Sequence, residues 1–234
     1  MNDSADKKTI NVAVVDYGMG NLFSIKHACE NVGMQAKVTG DRKDLESSDI
    51  VILPGVGAFG DTMDVLNKLD LVEPIKDFAA SGRPLIGICL GLQLFMTESY
   101  EFGRHKGLNL FEGTVERFDN PKYEDKILKV PHVGWNQIFA EKETVTSDEA
   151  NTLCPGRWRN TPLLSTREGG YFYFVHSYYV KPLDENIVLT YTRYGDSLFC
   201  SSVMKDNIIG FQYHPERSGV AGLEIYRNIA SLVK

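Results

Sequence analysis

Two stretches of this chain carry side chains able to do nucleophilic chemistry. One is Pro84-Leu85-Ile86-Gly87-Ile88-Cys89-Leu90-Gly91-Leu92-Gln93-Leu94-Phe95; the other, much later, is Gln212-Tyr213-His214-Pro215-Glu216. In the first, an apolar strand runs into Gly-x-Cys-x-Gly and an apolar helical stretch leaves it. That is the context of a nucleophile elbow with Cys in place of Ser. Gly87 and Gly91 allow the sharp turn, because a Cβ at either place would collide with it. The Cys89 thiol then stands at a helix N-terminus, whose positive dipole end favours thiolate. In the second stretch, Pro215 pushes His214 into extended backbone, where residues i and i+2 share a side. His214 and Glu216 therefore project together, the carboxylate holding one ring nitrogen while the other faces a partner. Cys89, His214 and Glu216 are the parts of a thiol acyl-transfer triad.

Such chemistry needs hydrogen-bond donors for a developing oxyanion. The backbone N–H of Leu90 offers one at the helix start. A second comes from Pro54-Gly55-Val56-Gly57, making Gly55 and Val56 candidates. Gln93 lies one helical turn past Cys89, beside the thiol, and as a polar side chain among leucines it invites a substrate role. His176 follows an aromatic strand and precedes Ser177-Tyr178, which makes it a candidate for lining the site. His27 in a helix, and His105 and His132 in loops, read as solvated or packed side chains. Gly55-Val56-Gly57-Ala58-Phe59-Gly60 matches the Gly-x-Gly-x-x-Gly dinucleotide fingerprint. It follows the third strand rather than the first, however, and its nearest acid, Asp77, falls in a helix. An oxyanion loop is the better use of that backbone.

These groups require strand ends gathered along one edge. Thr9–Asp16, Gln35–Thr39 and Ile50–Leu53 read as strands, with a helix from Asn21, its N-cap, to about Asn31. A helical stretch covers Asp61–Ala80, interrupted near Pro74, and stops at Ser81-Gly82 ahead of the Cys89 strand. This rhythm predicts a parallel sheet covered on both faces. After about Gly107 strands follow without long helices: 113–118, 135–139, 171–179, 187–194, 199–205 and 208–213. They predict an antiparallel or mixed extension of the same sheet. A last helix, Val220–Val233, places Leu223, Tyr226, Ala230 and Val233 on one face. The expected fold is a single α/β domain, flavodoxin-like, with a mixed, mainly parallel sheet flanked by helices. Residues 1–8 read as a polar tail and 141–160 as a surface loop.

The bulk properties narrow the class. The 234 residues carry a net charge of −6 and no long Lys/Arg cluster, which argues against nucleic acid as partner. The first eight residues lack the apolar core of a signal peptide, and no apolar run approaches the roughly 20 residues of a membrane span. Cys29, Cys89, Cys154 and Cys200 are scattered without a Cys-x-x-Cys pair. That fits reduced thiols in a cytoplasmic protein better than a disulfide framework, a metal site or a redox dithiol.

The elbow together with His214-Pro215-Glu216 resembles the class I, triad-type glutamine amidotransferases. Four more stretches are similar to the glutaminase subunits of imidazole glycerol phosphate synthases: Asp16-Tyr17-Gly18-Met19-Gly20-Asn21, Leu53 through Gly60, Val130-Pro131-His132-Val133-Gly134-Trp135-Asn136, and Tyr171 through Tyr178. The resemblance runs from about Asn11 to Lys234. It implies that Cys89 attacks the side-chain amide of L-glutamine, that His214 shuttles the proton and that Glu216 orients His214, with no cofactor. It also implies that Gln93 contacts the substrate and that backbone near Ser177 and Tyr178 receives its α-amino and carboxylate ends. A peptide flip at Val56 would complete the oxyanion hole. The implied partner is a separate (β/α)8-barrel cyclase that uses the ammonia to make imidazole glycerol phosphate in histidine biosynthesis, the two forming a heterodimer. Asn21, Trp135 and Tyr173 would face it.

Two features depart from that pattern: the length of the 141–160 loop, and Arg217 where Lys is expected. Three other readings stand beside the resemblance. The first is a paralogous glutaminase serving a barrel partner in surface-polysaccharide sugar amidination. The second is a non-catalytic scaffold. The third is a cysteine hydrolase or chaperone-like protein of the same flavodoxin-like architecture, in which His commonly follows the elbow Cys; here Leu90 does.

Overall fold

The computed structural model describes residues 9–142, 144 and 156–233. The expected tail at 1–8, most of the 141–160 loop and Cys154 lie outside them. The chain begins β1 (Asn11–Val15), α1 (Leu22–Asn31), β2 (Gln35–Thr39), α2 (Arg42–Ser47) and β3 (Ile50–Leu53). It continues through α3 (Phe59–Lys68), α4 (Val72–Ala80), β4 (Leu85–Ile88), α5 (Leu90–Leu94), β5 (Met96–Ser99) and β6 (His105–Lys106). The second half runs β7 (Phe111–Arg117), β8 (Lys122–Tyr123), β9 (Lys126–Ile127), β10 (His132–Ile138), β11 (Gly170–His176) and β12 (Tyr178–Pro182). It closes with β13 (Val188–Tyr194), β14 (Ser197–Lys205), β15 (Ile208–Phe211) and α6 (Gly219–Ala230).

The main sheet has the order β2-β1-β3-β4-β15-β14-β12-β7-β5-β6, with β13 also paired to β14. From β2 to β15 every pairing is parallel; β14, β12 and β7 then run antiparallel. The strand β3 shows why this half forms a central sheet. All four of its residues are buried, and they alternate between two cores: Ile50 and Ile52 pack under α1 and α6, Val51 and Leu53 under α3 to α5. Because β1, β3, β4 and β15 are parallel, their carboxyl ends deliver Asp16, Pro54, Cys89 and Gln212 to one edge.

Several boundaries differ from the sequence reading. The 61–80 helix breaks at Leu69–Leu71, where Asp70 takes a φ of 51°; Pro74 lies in the first turn of α4, where a missing N–H costs nothing. The expected strand 171–179 divides at Ser177. Its first part pairs only with β10, in a separate two-stranded sheet, while β12 joins the main sheet. The α6 face is rotated from the expected one, with Gly222, Ile225, Tyr226 and Ile229 buried. At the end of the 141–160 stretch, Trp158 is not a surface residue: it is fully buried, and its indole N–H donates to the Leu189 carbonyl at 2.9 Å. Asn21 occupies the N-cap of α1 but makes no side-chain cap hydrogen bond.

Candidate active site

Cys89 leaves β4 with φ 56° and ψ −109°, outside the regions open to ordinary L-residues, so the strain of the elbow rests on Cys89 itself. Such a conformation costs on the order of 1–3 kcal/mol and persists only where the surroundings impose it. Here they do. The Cys89 N–H donates to the Phe211 carbonyl at 2.7 Å. Gly87 and Gly91 give the closeness that the turn needs. A Cβ on Gly87 would meet Phe95 and the α5 backbone, and one on Gly91 would strike the Leu53 carbonyl of the neighbouring strand.

Pro215, Glu216 and Arg217 form a single 3-10 turn with His214 as its extended N-cap residue. The side chains of His214 and Glu216 therefore meet through a proline-initiated turn rather than along one strand. The His214 Nδ1 lies 2.8 Å from Glu216 Oε1, with both side chains buried. The His214 backbone is held from both sides. Its N–H donates to the Tyr173 carbonyl at 2.9 Å, and its carbonyl accepts from the Ser218 hydroxyl at 2.7 Å. Burial alone pulls the imidazole's pKa down, but attraction to Cys89 and Glu216 outweighs it and raises the group to about 10. The other ring nitrogen, Nε2, is buried without a hydrogen-bond partner among the described residues.

Cys89 and His214 line one cavity of about 280 Å³ with Gly55, Val56, Gly57, Leu90, Gln93, Glu101, Pro131, Val175, His176, Ser177 and Tyr178. That volume suits a molecule of amino-acid size. The residues expected at the oxyanion and substrate positions all line this cavity with Cys89 and His214, and Glu216 reaches it only through His214. The Tyr17 hydroxyl donates to the Pro54 carbonyl at 2.8 Å, bracing the loop that carries Gly55 and Val56. Val56 is half-exposed on that loop.

Three residues in and around the cavity escape the sequence reading. Glu101 accepts from the Phe59 N–H at 2.6 Å, and burial raises its carboxyl above the ordinary value. It follows β5, which the apolar run Leu94–Met96 conceals. Gln212 is fully buried, with its Nε2 3.7 Å from the Cys89 sulfur. The two-residue alternation that aims His214 inward carries the signal for Gln212 as well. His132, expected in a loop, opens β10 and is buried against His176, Phe118 and Phe174. Asn21, Trp135 and Tyr173 line no part of the cavity. Trp135 and Tyr173 meet edge to face on the outer side of the β10–β11 hairpin, where the Arg217 guanidinium lies 4.5 Å from the Tyr173 ring.

The comparisons with known proteins agree with this geometry. The family profile "Glutamine amidotransferase class-I" matches residues 13–230, and the chain belongs to that family. Within it, the chain is 44% identical to the imidazole glycerol phosphate synthase subunit HisH of Syntrophotalea carbinolica, over 94% of this chain and all of the relative. It is likewise 44% identical to the HisH subunit of Sulfurimonas denitrificans, over 93% of this chain and 96% of the relative. The fold superposes on a chain of PurLQS from Thermotoga maritima with a TM-score of 0.69 at 19% identity, covering 97% of this chain and all of that one. Among the described residues no helix is long and apolar enough to cross a membrane.

Proposed function

We propose that this chain hydrolyses L-glutamine to glutamate and ammonia with a Cys89-His214-Glu216 triad, and passes the ammonia to a synthase partner in histidine biosynthesis. The observation that carries the reading is the buried His214–Glu216 pair opening, with Cys89, onto one cavity. The Cys89 sulfur attacks the side-chain amide carbon. His214 Nε2 delivers a proton to the leaving nitrogen, and ammonia departs from a glutamyl thioester. Water then cleaves the thioester, His214 accepting its proton, and glutamate is released. Glu216 keeps Nδ1 protonated and the ring aimed. The Leu90 N–H and the Gly55–Val56 segment serve the oxyanion. Glu101, the one carboxylate lining the cavity among the described residues, suits the α-ammonium of the substrate, with Gln93 beside it; backbone near Ser177 and Tyr178 takes the carboxylate end.

Free ammonia is protonated and lost at neutral pH, so the activity calls for a closed handover. The outer hairpin face supports a docked partner, because Val133, Trp135 and Tyr171 are all more than half exposed. Tyr173, Asn21 and these residues would meet a (β/α)8-barrel cyclase in a heterodimer. The HisH relatives favour that partner over one in surface-polysaccharide synthesis, and the assembled triad speaks against a mere scaffold. The test is glutamate release with and without a barrel-type synthase subunit and its nucleotide substrate. Release that depends on Cys89 is expected; no release under any condition, or full activity in Cys89→Ala, refutes the reading.

A further inference from the structure

We propose that Gln212 is a working member of this site: its amide supplies a hydrogen-bond donor to the Cys89 sulfur and fixes the polarity with which Gln93 meets the substrate. The proposal rests on the glutaminase reading and deepens it.

The argument starts from one atom whose chemistry is not in doubt, the Tyr178 carbonyl oxygen. It can only accept, so the Gln93 atom 2.9 Å away is the amide nitrogen. That nitrogen also lies 3.2 Å from Gln212, so the Gln212 atom facing it is the acceptor, Oε1. The orientation of the second amide follows: its NH2 end is turned to the Cys89 sulfur, 3.7 Å away, a distance suited to N–H···S. Gln212 is fully buried and Gln93 nearly so, and neither amide can turn over without stranding a polar group away from water.

Two chemical consequences follow. A donor beside the sulfur places a hydrogen bond on the atom that attacks. Meanwhile both Gln93 N–H bonds are committed, to Tyr178 and Gln212, so Oε1 is the atom Gln93 offers to the cavity it lines. With the Glu101 carboxylate the Gln93 side of the cavity is then acceptor-only. It suits an α-ammonium and repels a carboxylate, which sets which way round an α-amino acid enters.

Two variants and one direct measurement test this on the full chain. Gln212→Met keeps length and burial but loses donor and acceptor; Gln212→Glu keeps an acceptor for Gln93 and loses the donor to sulfur. Carboxamidomethylation of Cys89 by iodoacetamide, followed by mass spectrometry across pH, should slow about five- to tenfold at pH 7 in both, the size of one net hydrogen bond. Only Gln212→Met should also lose discrimination between glutamine and its analogue lacking the α-amino group, seen in KM rather than kcat. In the unsubstituted protein, alkylation of Cys89 should shift the Gln212 side-chain amide resonances. Lower stability with an unaltered alkylation profile, or amide resonances that stay put on alkylation, overturns the proposal. If Gln212→Met does not fold, Gln212→Glu and the resonance measurement decide it. Neither alkylation nor resonance shifts require turnover, so failure here is distinct from absence of glutamate release.

Discussion

His132 and His176 stand directly opposite each other across the β10–β11 hairpin, with Nδ1 of the first 3.2 Å from Nε2 of the second. His176 Nδ1 lies 2.9 Å from the Tyr178 carbonyl, so it carries the proton there and its Nε2 accepts from His132. His132 Nε2 in turn accepts from the Asn136 amide at 3.3 Å. Both rings are therefore neutral, with assigned tautomers. Burial lowers His132 to about 4; burial and then the neighbouring His132 lower His176 to about 3.

Acid should destabilise the protein through this pair. An unfolded histidine titrates near 6.5, so below that pH the unfolded chain binds protons the folded one refuses. The stability is complete well above 6.5 and declines as pH falls toward 4, by up to roughly 1.4 kcal/mol per pH unit for each ring. Urea unfolding between pH 7 and 5 measures it, and a flat dependence would exclude the neutral pair.

His214 has the opposite sign. Its folded value near 10 exceeds its unfolded one, so its contribution is complete below 6.5 and is lost as pH rises toward 10. The ring signals of His214 in NMR should remain those of an imidazolium past pH 8. In Cys89→Ala the midpoint should fall, because the leading attraction that opposes burial is gone.

Replacement of Glu216, the carboxylate of the proposed triad, tests orientation. Glu216→Gln places an amide where His214 Nδ1 needs an acceptor, and an amide can present the wrong end. Glutamate release per enzyme should drop about a hundredfold or more, with KM little changed. A loss under threefold would remove Glu216 from the triad.

The strain at Cys89 predicts a trade between stability and activity. Cys89→Gly should unfold at higher denaturant than Cys89→Ala, by about 1 kcal/mol, because glycine adopts φ 56° freely. Equal midpoints would place the strain elsewhere. Both variants should be inactive.

Tyr17 braces the Gly55–Val56 segment, the proposed oxyanion loop, through Pro54. Tyr17→Phe removes one hydrogen bond, worth about 1 kcal/mol, and should raise partner-independent glutamate release severalfold. Unchanged release would show that this bond does not restrain the loop.

The chemistry-bearing residues were more legible than the scaffold that holds them. Cys89, His214 and Glu216 were readable because glycine and proline fix local backbone in ways that spacing reveals. The strands β1, β2 and β3 were readable as short apolar runs. Ser177 was not readable as a junction, since a period of two continues through it while the pairing partner changes from β10 to β7. The five-residue length of α5 was hidden because Leu94, Phe95 and Met96 stay apolar as helix gives way to strand. Glu101 owes its place to β5, which leaves no local mark in the chain. The burial of Gln212 follows the alternation through His214, and only its contact with Gln93 is hidden.

The ribbon from Gly170 to Pro182 presents Tyr171 and Tyr173 outward, while the Val175 carbonyl of the same strand lies 3.8 Å from the Cys89 sulfur. The proposed docking surface and the cavity thus share one strand, a single backbone in thickness. Pressure applied outside needs no messenger to be felt within.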